Sequence, residues 1–454
     1  MAKKNEIVDG VIEKVKFPNK GFMYIEENIP VCVPDTFPGQ KVSVRLLKKR
    51  KGEWQGKAVA WHEHPEHFVT PKCEYFGMCG GCAMQQVPYD AQLEHKHTLV
   101  MNLLEGAGVK DFQDMGILGS PMEWAYRNKM EFSFGDACKD GPMCLGMHRK
   151  NSTFDIITVD GCQIVHEDFS MILRFVLRYA QSNALPFYKK KIHEGFLRYL
   201  IVRRSETTGE LLINIVTTTQ MEFDFTQLAN YLVELGTKGK VVGVLHTQSD
   251  TLADAVKPET VHQVYGQDYF TENILGLNFN ISPFSFFQTN TKGAEKLYKT
   301  ALDMPEDISN KVVFDLYSGT GTIAQIMATK AKEVYGIEII EEAVEKAKQN
   351  AKLNGLTNCN FVAGDVLQEV GKLHVKPELI VLDPPREGIH PKAIDKIIGF
   401  DAKELLYISC KPTSLARDLP ILEDAGYKVK KVCCVDMFPH TYHVETIAYL
   451  VKEN

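Results

Sequence analysis

From about residue 275 the chain repeats one unit, a short apolar run with β character followed by a helical pattern. KVVFDLY, EVYGIE, ELIVLD and ELLYIS are the strand-like runs; the helical ones include EEAVEKAKQNAKLNG, with Gly355 at the C′ position. Runs that are apolar throughout must be covered on both faces. Regular alternation of this kind therefore predicts an α/β, Rossmann-like fold with a doubly wound, largely parallel sheet, and it places ligands at the carboxyl ends of the strands.

The preceding residues obey other rules. The first sixty alternate short apolar runs with turn signals (IVDGVIEKVKF, PNKG, FMYIEEN, VCVPDTFPGQ, KVSVRLL, KRKGEWQG, KAVAW), the pattern of a small β-barrel of about five strands. A linker rich in proline and histidine, WHEHPEHFVTPK, leads to a cysteine-rich segment and then to DAQLEHKHTLVMNLLEGAG, helical by its apolar spacing. Residues 120–270 read as mixed α+β, with a helix in EDFSMILRFVLRYAQSNA and a hairpin of FLRYLIVRRS and LLINIVTT across ETTGE. At about 150 residues per domain, 454 residues suit three parts. The divisions expected are 1–62, 63–270 and 271–454, with the helix near 90–108 free to pack on the last.

Charge separates these parts further. Residues 1–60 hold 12 Lys and Arg against 7 Asp and Glu, leaving the rest of a chain of net charge -6 at -11. The basic run Lys48, Lys49, Arg50 and Lys51 is either a solvated loop or a sequence-independent contact to phosphates. No run of about 18 uncharged apolar residues is present, and MAKKNEIVDG is not followed by a secretory stretch, so the expectation is a cytoplasmic protein with no membrane partner and no obligate protein partner.

Motifs fall where the fold class expects ligands. KVVFDLY runs into Ser318, Gly319, Thr320 and Gly321 and then a helical pattern; Glu338 ends the next strand, 17 residues beyond Gly321, where a carboxylate can accept both hydroxyls of a ribose. Ala324 completes G-x-G-x-x-A, so a nicotinamide dinucleotide competes with other nucleotides for this loop. Asp383-Pro384-Pro385-Arg386 follows ELIVL, its prolines fixing the exit of the chain. A proline-rich turn here favours S-adenosylmethionine over a dinucleotide. ELLYISC delivers Cys410 to another strand end, as a nucleophile or as a structural thiol. Glu445 is the one charge inside the apolar last strand, where desolvation would raise its pKa towards that of a proton-transfer group.

Together these motifs resemble the uracil-5-methyltransferases of RNA, specifically the 23S rRNA type that carries an amino-terminal TRAM barrel and an iron–sulfur cluster. The resemblance runs through CEYFGMCGGCAMQQ, VDGCQIV, FFQTN, DLYSGTGT, DPPREGIHPK, YISCKPTSLARDL and MFPHTYHVE in order. It implies that residues 1–62 are the RNA-binding TRAM barrel. It further implies that Gln288, Tyr317, Gly319, Gly321, Glu338 and Asp383 hold S-adenosylmethionine, that Phe286 stacks on a flipped uracil, that Cys410 is the nucleophile and that Glu445 is the general base. Ser318 stands where many relatives have cysteine, and Lys411 where many have asparagine.

Cys73, Cys79 and Cys82, spaced x5 and x2, lack the paired C-x2-C knuckles of a zinc ribbon. With Cys162, where the resemblance expects a fourth ligand, they suit a [4Fe–4S] cluster; zinc is the fallback metal, and Cys138 or Cys144 the substitute ligand. The implied activity is methyl transfer to carbon 5 of a uridine in RNA. The expected acceptor is 23S rRNA; tRNA is the alternative, and a non-catalytic RNA-binding assembly factor is the rival of another class.

Overall fold

The computed structural model describes residues 2–26, 28–365 and 375–453. The basic amino-terminal part is a six-stranded sheet of β1 (Ile7–Val11), β2 (Lys14–Lys16), β3 (Lys20–Ile25), β4 (Ile29–Pro34), β5 (Lys41–Arg50) and β6 (Glu53–Glu63), in the order β1-β5-β6-β4-β3-β2. It has six strands where the sequence suggested about five, because IVDGVIEKVKF breaks at Ile12. That side chain is fully buried and its amide bonds the carbonyl of Gln40 in line with the β1–β5 register, whereas the next amide, that of Glu13, turns to the Phe22 carbonyl of β3. Alternate residues, among them Val31, Val33, Val42 and Val44, meet in a common core. The basic run lies on an exposed hairpin tip: β5 continues to Arg50, which pairs with Glu53 across a turn in which Lys51 and Gly52 both have positive φ.

The middle of the chain builds a second sheet from β8 (Lys129–Asp136), β9 (Met143–His148), β10 (Ile156–Thr158), β11 (Leu197–Arg204), β12 (Glu210–Thr217), β13 (Lys240–Gln248) and β14 (Thr260–Gly266). β11 and β12 form the hairpin across ETTGE. The helix Glu167–Ser182 lays Phe169, Ile172, Leu173 and Val176 on this sheet, an i, i+3, i+4, i+7 stripe.

The third sheet follows the order β19-β18-β17-β20-β21-β23-β22-β7. Its strands are β7 (Gln113–Leu118), β17 (Val312–Leu316), β18 (Glu333–Glu338), β19 (Cys359–Ala363), β20 (Leu379–Leu382), β21 (Glu404–Ser409), β22 (Tyr427–Val435) and β23 (Glu445–Lys452). Along β17, Val313 enters one apolar cluster while Val312, Phe314 and Leu316 enter the other; β20 divides Leu379 and Val381 from Ile380 and Leu382 in the same way. Both faces are thus buried, as continuous apolar runs require, and each such side chain contributes about 1.5–3 kcal/mol of burial. The two buried cysteines of β22, Cys433 and Cys434, point one into each layer as ordinary core side chains.

Two features of this sheet position the site. Its order reverses between β17 and β20, which opens a crevice at their carboxyl ends. β23 runs antiparallel to both neighbours, so its first residue lies at the same edge as the last residues of β21. The edge strand β7 comes from far upstream, beyond the helix Tyr89–Gly106, and pairs in parallel with β22. A short hairpin, β15 (Phe270–Ile274) and β16 (Leu277–Ile281), precedes the FFQTN loop and the helix Thr291–Asp303.

Candidate active site

Five strand ends deliver the site. β17 ends at Leu316 and gives way to Tyr317 and the glycine loop, and β18 ends on Glu338. Asp383 follows β20, Cys410 follows β21, and Glu445 opens β23. Ser409 pairs with Thr446, so Cys410 and Glu445 are the next residues facing each other across the two strands.

The glycine-loop side is tightly specified. Tyr317 takes φ 70°, a left-handed conformation unusual for a bulky residue, and its amide and that of Ser318 both bond the carbonyl of Ile337. Gly321, at φ 75°, starts the helix Thr322–Ala328, and a Cβ there would lie 2.5 Å from the Phe361 ring. The Glu338 carboxylate accepts from the amides of Gly319 at 2.9 Å and Ile340 at 3.0 Å, which ties the glycine loop to the second strand end. FFQTN reaches the same place: the Phe286 carbonyl accepts from the Thr320 hydroxyl at 3.4 Å, while the Phe286 ring is 70 % exposed. Asn128 fixes this loop from outside, bonding the Thr289 carbonyl with its amide at 2.8 Å and the Gln288 carbonyl with its side chain at 2.9 Å.

Four acids and phenols share a low-dielectric interior with the thiol. Burial, then the negative field of Asp383, pushes the Glu445 carboxyl up to about 8, while Arg386 pulls it down. Burial alone raises Asp383 to about 7. Cys410 is raised to about 11 by burial, Glu445 and Asp383, against the opposing Arg386. The Tyr298 hydroxyl, buried among Asp383, Glu445 and Asp315, is also strongly raised, and the Gln288 side chain hydrogen-bonds it. Asp315 is fully buried, with neither carboxylate oxygen partnered by another side chain, and desolvation drives it well above the usual carboxylate range.

The Asp383-Pro384-Pro385-Arg386 turn is bolted to the helix Pro412–Asp424 that follows Cys410. Buried Asp418 accepts from the Ile389 amide at 2.9 Å and the Tyr407 hydroxyl at 2.8 Å, and Ser414 bonds the Arg386 carbonyl at 2.7 Å. Asp315, Tyr298 and Arg386 were not assigned by sequence reasoning. Asp315 had a usable signal, a lone acid in an apolar strand, the same one that marked Glu445. Tyr298 had none, since a tyrosine on a helix face reads as core.

The four cysteines at 73, 79, 82 and 162 line one small pocket with Tyr75 and Met130; Cys138 and Cys144 lie outside it. Cys82 is raised to about 12 by burial, with contributions from Cys162, Cys79 and Cys73. Among the described residues no group of three or more His, Cys, Asp or Glu side chains stands at metal-binding spacing. Among the described residues, no helix is long and apolar enough to cross a membrane.

Comparison with known proteins gives the family. The family model for tRNA (uracil-5-)-methyltransferase matches residues 88–453. A Clostridium tetani protein named an uncharacterized RNA methyltransferase is 47% identical over 98% of this chain and 97% of its own, and a Clostridium acetobutylicum counterpart is 48% identical over 100% and 99%. The crystal structure of the Pyrococcus abyssi tRNA (uracil-54, C5)-methyltransferase in complex with S-adenosyl-L-homocysteine superposes with a TM-score of 0.76 at 25% identity, covering 98% of this chain and 100% of that one. With a family model over most of its length and relatives of this identity, the chain belongs to the RNA uracil-5-methyltransferase family.

Proposed function

We propose that this chain methylates carbon 5 of a uridine in RNA through a transient bond between Cys410 and the pyrimidine, with Glu445 as the base. The observation that carries this reading is the facing pair itself, the thiol at the end of β21 and the buried carboxyl at the start of β23. S-adenosylmethionine supplies the methyl group when bound. The site fits a cationic nucleotide: Tyr317, Gly319, Gly321 and Glu338 form the loop and ribose end, Gln288 reaches in beside Tyr298, and a sulfonium would favour the ionised forms of Asp383 and Asp315, which burial otherwise opposes.

Carbon 5 of uracil is a weak nucleophile, and covalent catalysis remedies this. The Cys410 thiolate adds to carbon 6, and the electrons of the C5–C6 double bond move out to the carbonyl oxygen as an enolate. Once carbon 5 carries the methyl group, Glu445 removes the remaining proton; that electron pair restores the double bond and the carbon–sulfur bond breaks, returning the thiolate. Arg386 is the cation whose field favours the ionised forms of both Cys410 and Glu445. The base must leave its stack, at a cost of a few kcal/mol. Exposed Phe286, anchored to the glycine loop through its carbonyl, is the stacking platform of this reading.

The divisions 1–62, 63–270 and 271–454 are proposed as TRAM barrel, cluster-bearing central part and catalytic part. In support of an RNA-binding barrel, a cavity of ≈ 1040 Å³ separates β6 from the cysteine segment, lined by Trp61, Leu47, Lys57, Phe68 and Lys150. The cysteine quartet supports a [4Fe–4S] cluster held by Cys73, Cys79, Cys82 and Cys162, which supplies a structural cross-link when bound. The quartet is also what favours 23S rRNA as acceptor. A tRNA acceptor is the second reading, favoured by the end-to-end match to a solved tRNA enzyme, which removes overall architecture as a discriminator. Unmodified 23S rRNA and tRNA from a deletion strain, each incubated with labelled methyl donor and mapped by mass spectrometry, decide between them. No 5-methyluridine in either RNA overturns the proposal.

A further inference from the structure

The loop between β22 and β23 leads into Glu445, and side chains from elsewhere in the chain add to the bonds it makes within itself. Lys96, buried on the helix Tyr89–Gly106, pairs with buried Asp436 at 2.8 Å and donates to the Phe438 carbonyl at 3.2 Å. One turn earlier, fully buried Gln92 accepts from the His440 amide at 2.9 Å, while its amide nitrogen lies 3.1 Å from the His440 ring nitrogen. The same nitrogen donates to the carbonyls of Met84 at 3.1 Å and Val87 at 2.8 Å. In return the amides of Ala83 and Met84, directly after Cys82, donate to the His440 carbonyl at 2.8 and 3.0 Å. His440 sits at φ 66° with its ring stacked 3.9 Å from Trp124, a strained conformation that persists only because these partners over-determine it.

Within the loop, Asp436 accepts from the Phe438 amide at 3.0 Å and the Phe438 carbonyl accepts from the Thr441 hydroxyl at 2.8 Å, but among the described residues no local group reaches the His440 main chain. Glu445 is held in register by the pairing of β23 with β21 and β22, so the loop leading into it bears on the fine placement of its carboxyl against a proton on carbon 5. We infer that Gln92 and Lys96 are positioning residues: they clamp the Asp436–His440 turn against the segment following Cys82 and so set the fine placement of the Glu445 carboxyl for proton removal. The inference rests on the covalent reading above and deepens it, because it makes the cysteine segment part of the support of the base.

Its signature is a defect in one step. A misplaced base leaves Cys410 competent to add and the methyl group able to arrive, but the proton on carbon 5 stays, so the methylated RNA remains bonded to the enzyme through sulfur. The test uses full-length Gln92→Met and, separately, the charge-balanced Lys96→Met/Asp436→Asn, with Glu445→Gln as reference and natural uridine RNA as substrate. Turnover should fall about 10- to 100-fold, the scale of a misplacement near 1 Å, with the KM for S-adenosylmethionine unchanged. A denaturant-stable, methylated protein–RNA adduct should accumulate as it does with Glu445→Gln. Wild-type turnover in both variants, or loss of turnover and adduct together, overturns the positioning role. Absence of adduct in Glu445→Gln itself overturns the underlying reading, and is distinguishable because it does not involve the clamp. The contacts of Gln92 and of Lys96 are independent, so either folded variant suffices.

Discussion

The protein holds two kinds of raised thiol, and the contrast lies in their neighbours. Cys410 is pushed to about 11 by burial and then by carboxylates, with Arg386 opposing. Cys162, also at about 11, owes its shift to burial, with Cys73 and Cys79 adding to it and backbone amides opposing. A thiol beside a carboxylate and a guanidinium has the partners for addition and proton transfer. Thiols beside thiols have only a shared demand for a cation.

The sharpest way to break that contrast is at Cys410. Cys410→Ala should reduce turnover by at least about 1,000-fold, as deletion of a covalent nucleophile does, and should abolish trapping by 5-fluorouridine RNA. Retained methylation, followed with labelled donor, would reduce Cys410 to a core thiol like Cys433. Glu445→Gln should cost about 100- to 10,000-fold, the usual worth of a general base, and should leave RNA bonded to protein.

Protonation provides the next test. In the proposed mechanism turnover needs ionised Glu445 and ionised Cys410, both raised, so kcat/KM should climb from pH 6 to pH 9 rather than level off above pH 5. Stability runs the other way. Glu445 moves from 4.5 in its unperturbed state to about 8 in the fold, so the stability it contributes is complete below about pH 4.5 and is lost as pH rises through 8. Glu445→Gln should therefore gain thermal stability over the wild type between pH 6 and pH 9, by on the order of a few kcal/mol. A pH-independent difference in melting temperature would place the carboxyl in solvent.

Cys82→Ser tests the other thiols. It should lower bound iron and sulfide after anaerobic purification, with a smaller loss of activity than either catalytic variant; unchanged metal content would remove Cys82 from the ligand set. The smallest effect belongs to the hairpin tip. Replacing Lys48, Lys49, Arg50 and Lys51 with alanine should weaken RNA binding across sequences and flatten its salt dependence by up to about 0.7 for each phosphate no longer neutralised, leaving kcat unchanged.

Much of this was legible in one dimension. The glycine loop, Asp383, Cys410 and Glu445 all sit where a strand stops or starts, and an α/β alternation places those ends at one edge. Glu445 was visible because a charge interrupts an apolar strand. Asp418 was not, since its work is done by contacts to Ile389 and Tyr407 from a helix whose other residues read as core. Gln92 and Lys96 were hidden for a similar reason: on an amphipathic helix a polar residue reads as solvent-facing, and only the tertiary fold buries both. The strand count of the first sheet failed by one because the first run changes partner from β5 to β3 between Ile12 and Glu13, with no turn residue to mark the change.

The edge strand Gln113–Leu118 has a consequence for how this chain can be cut and made. An excised fragment beginning at residue 271 would leave the main chain of Tyr427–Val435 bare along one side, an invitation to pair with the next molecule. During synthesis the early segment must wait for more than three hundred residues to emerge before its partner exists, so the third sheet closes only when strands far apart in the chain meet.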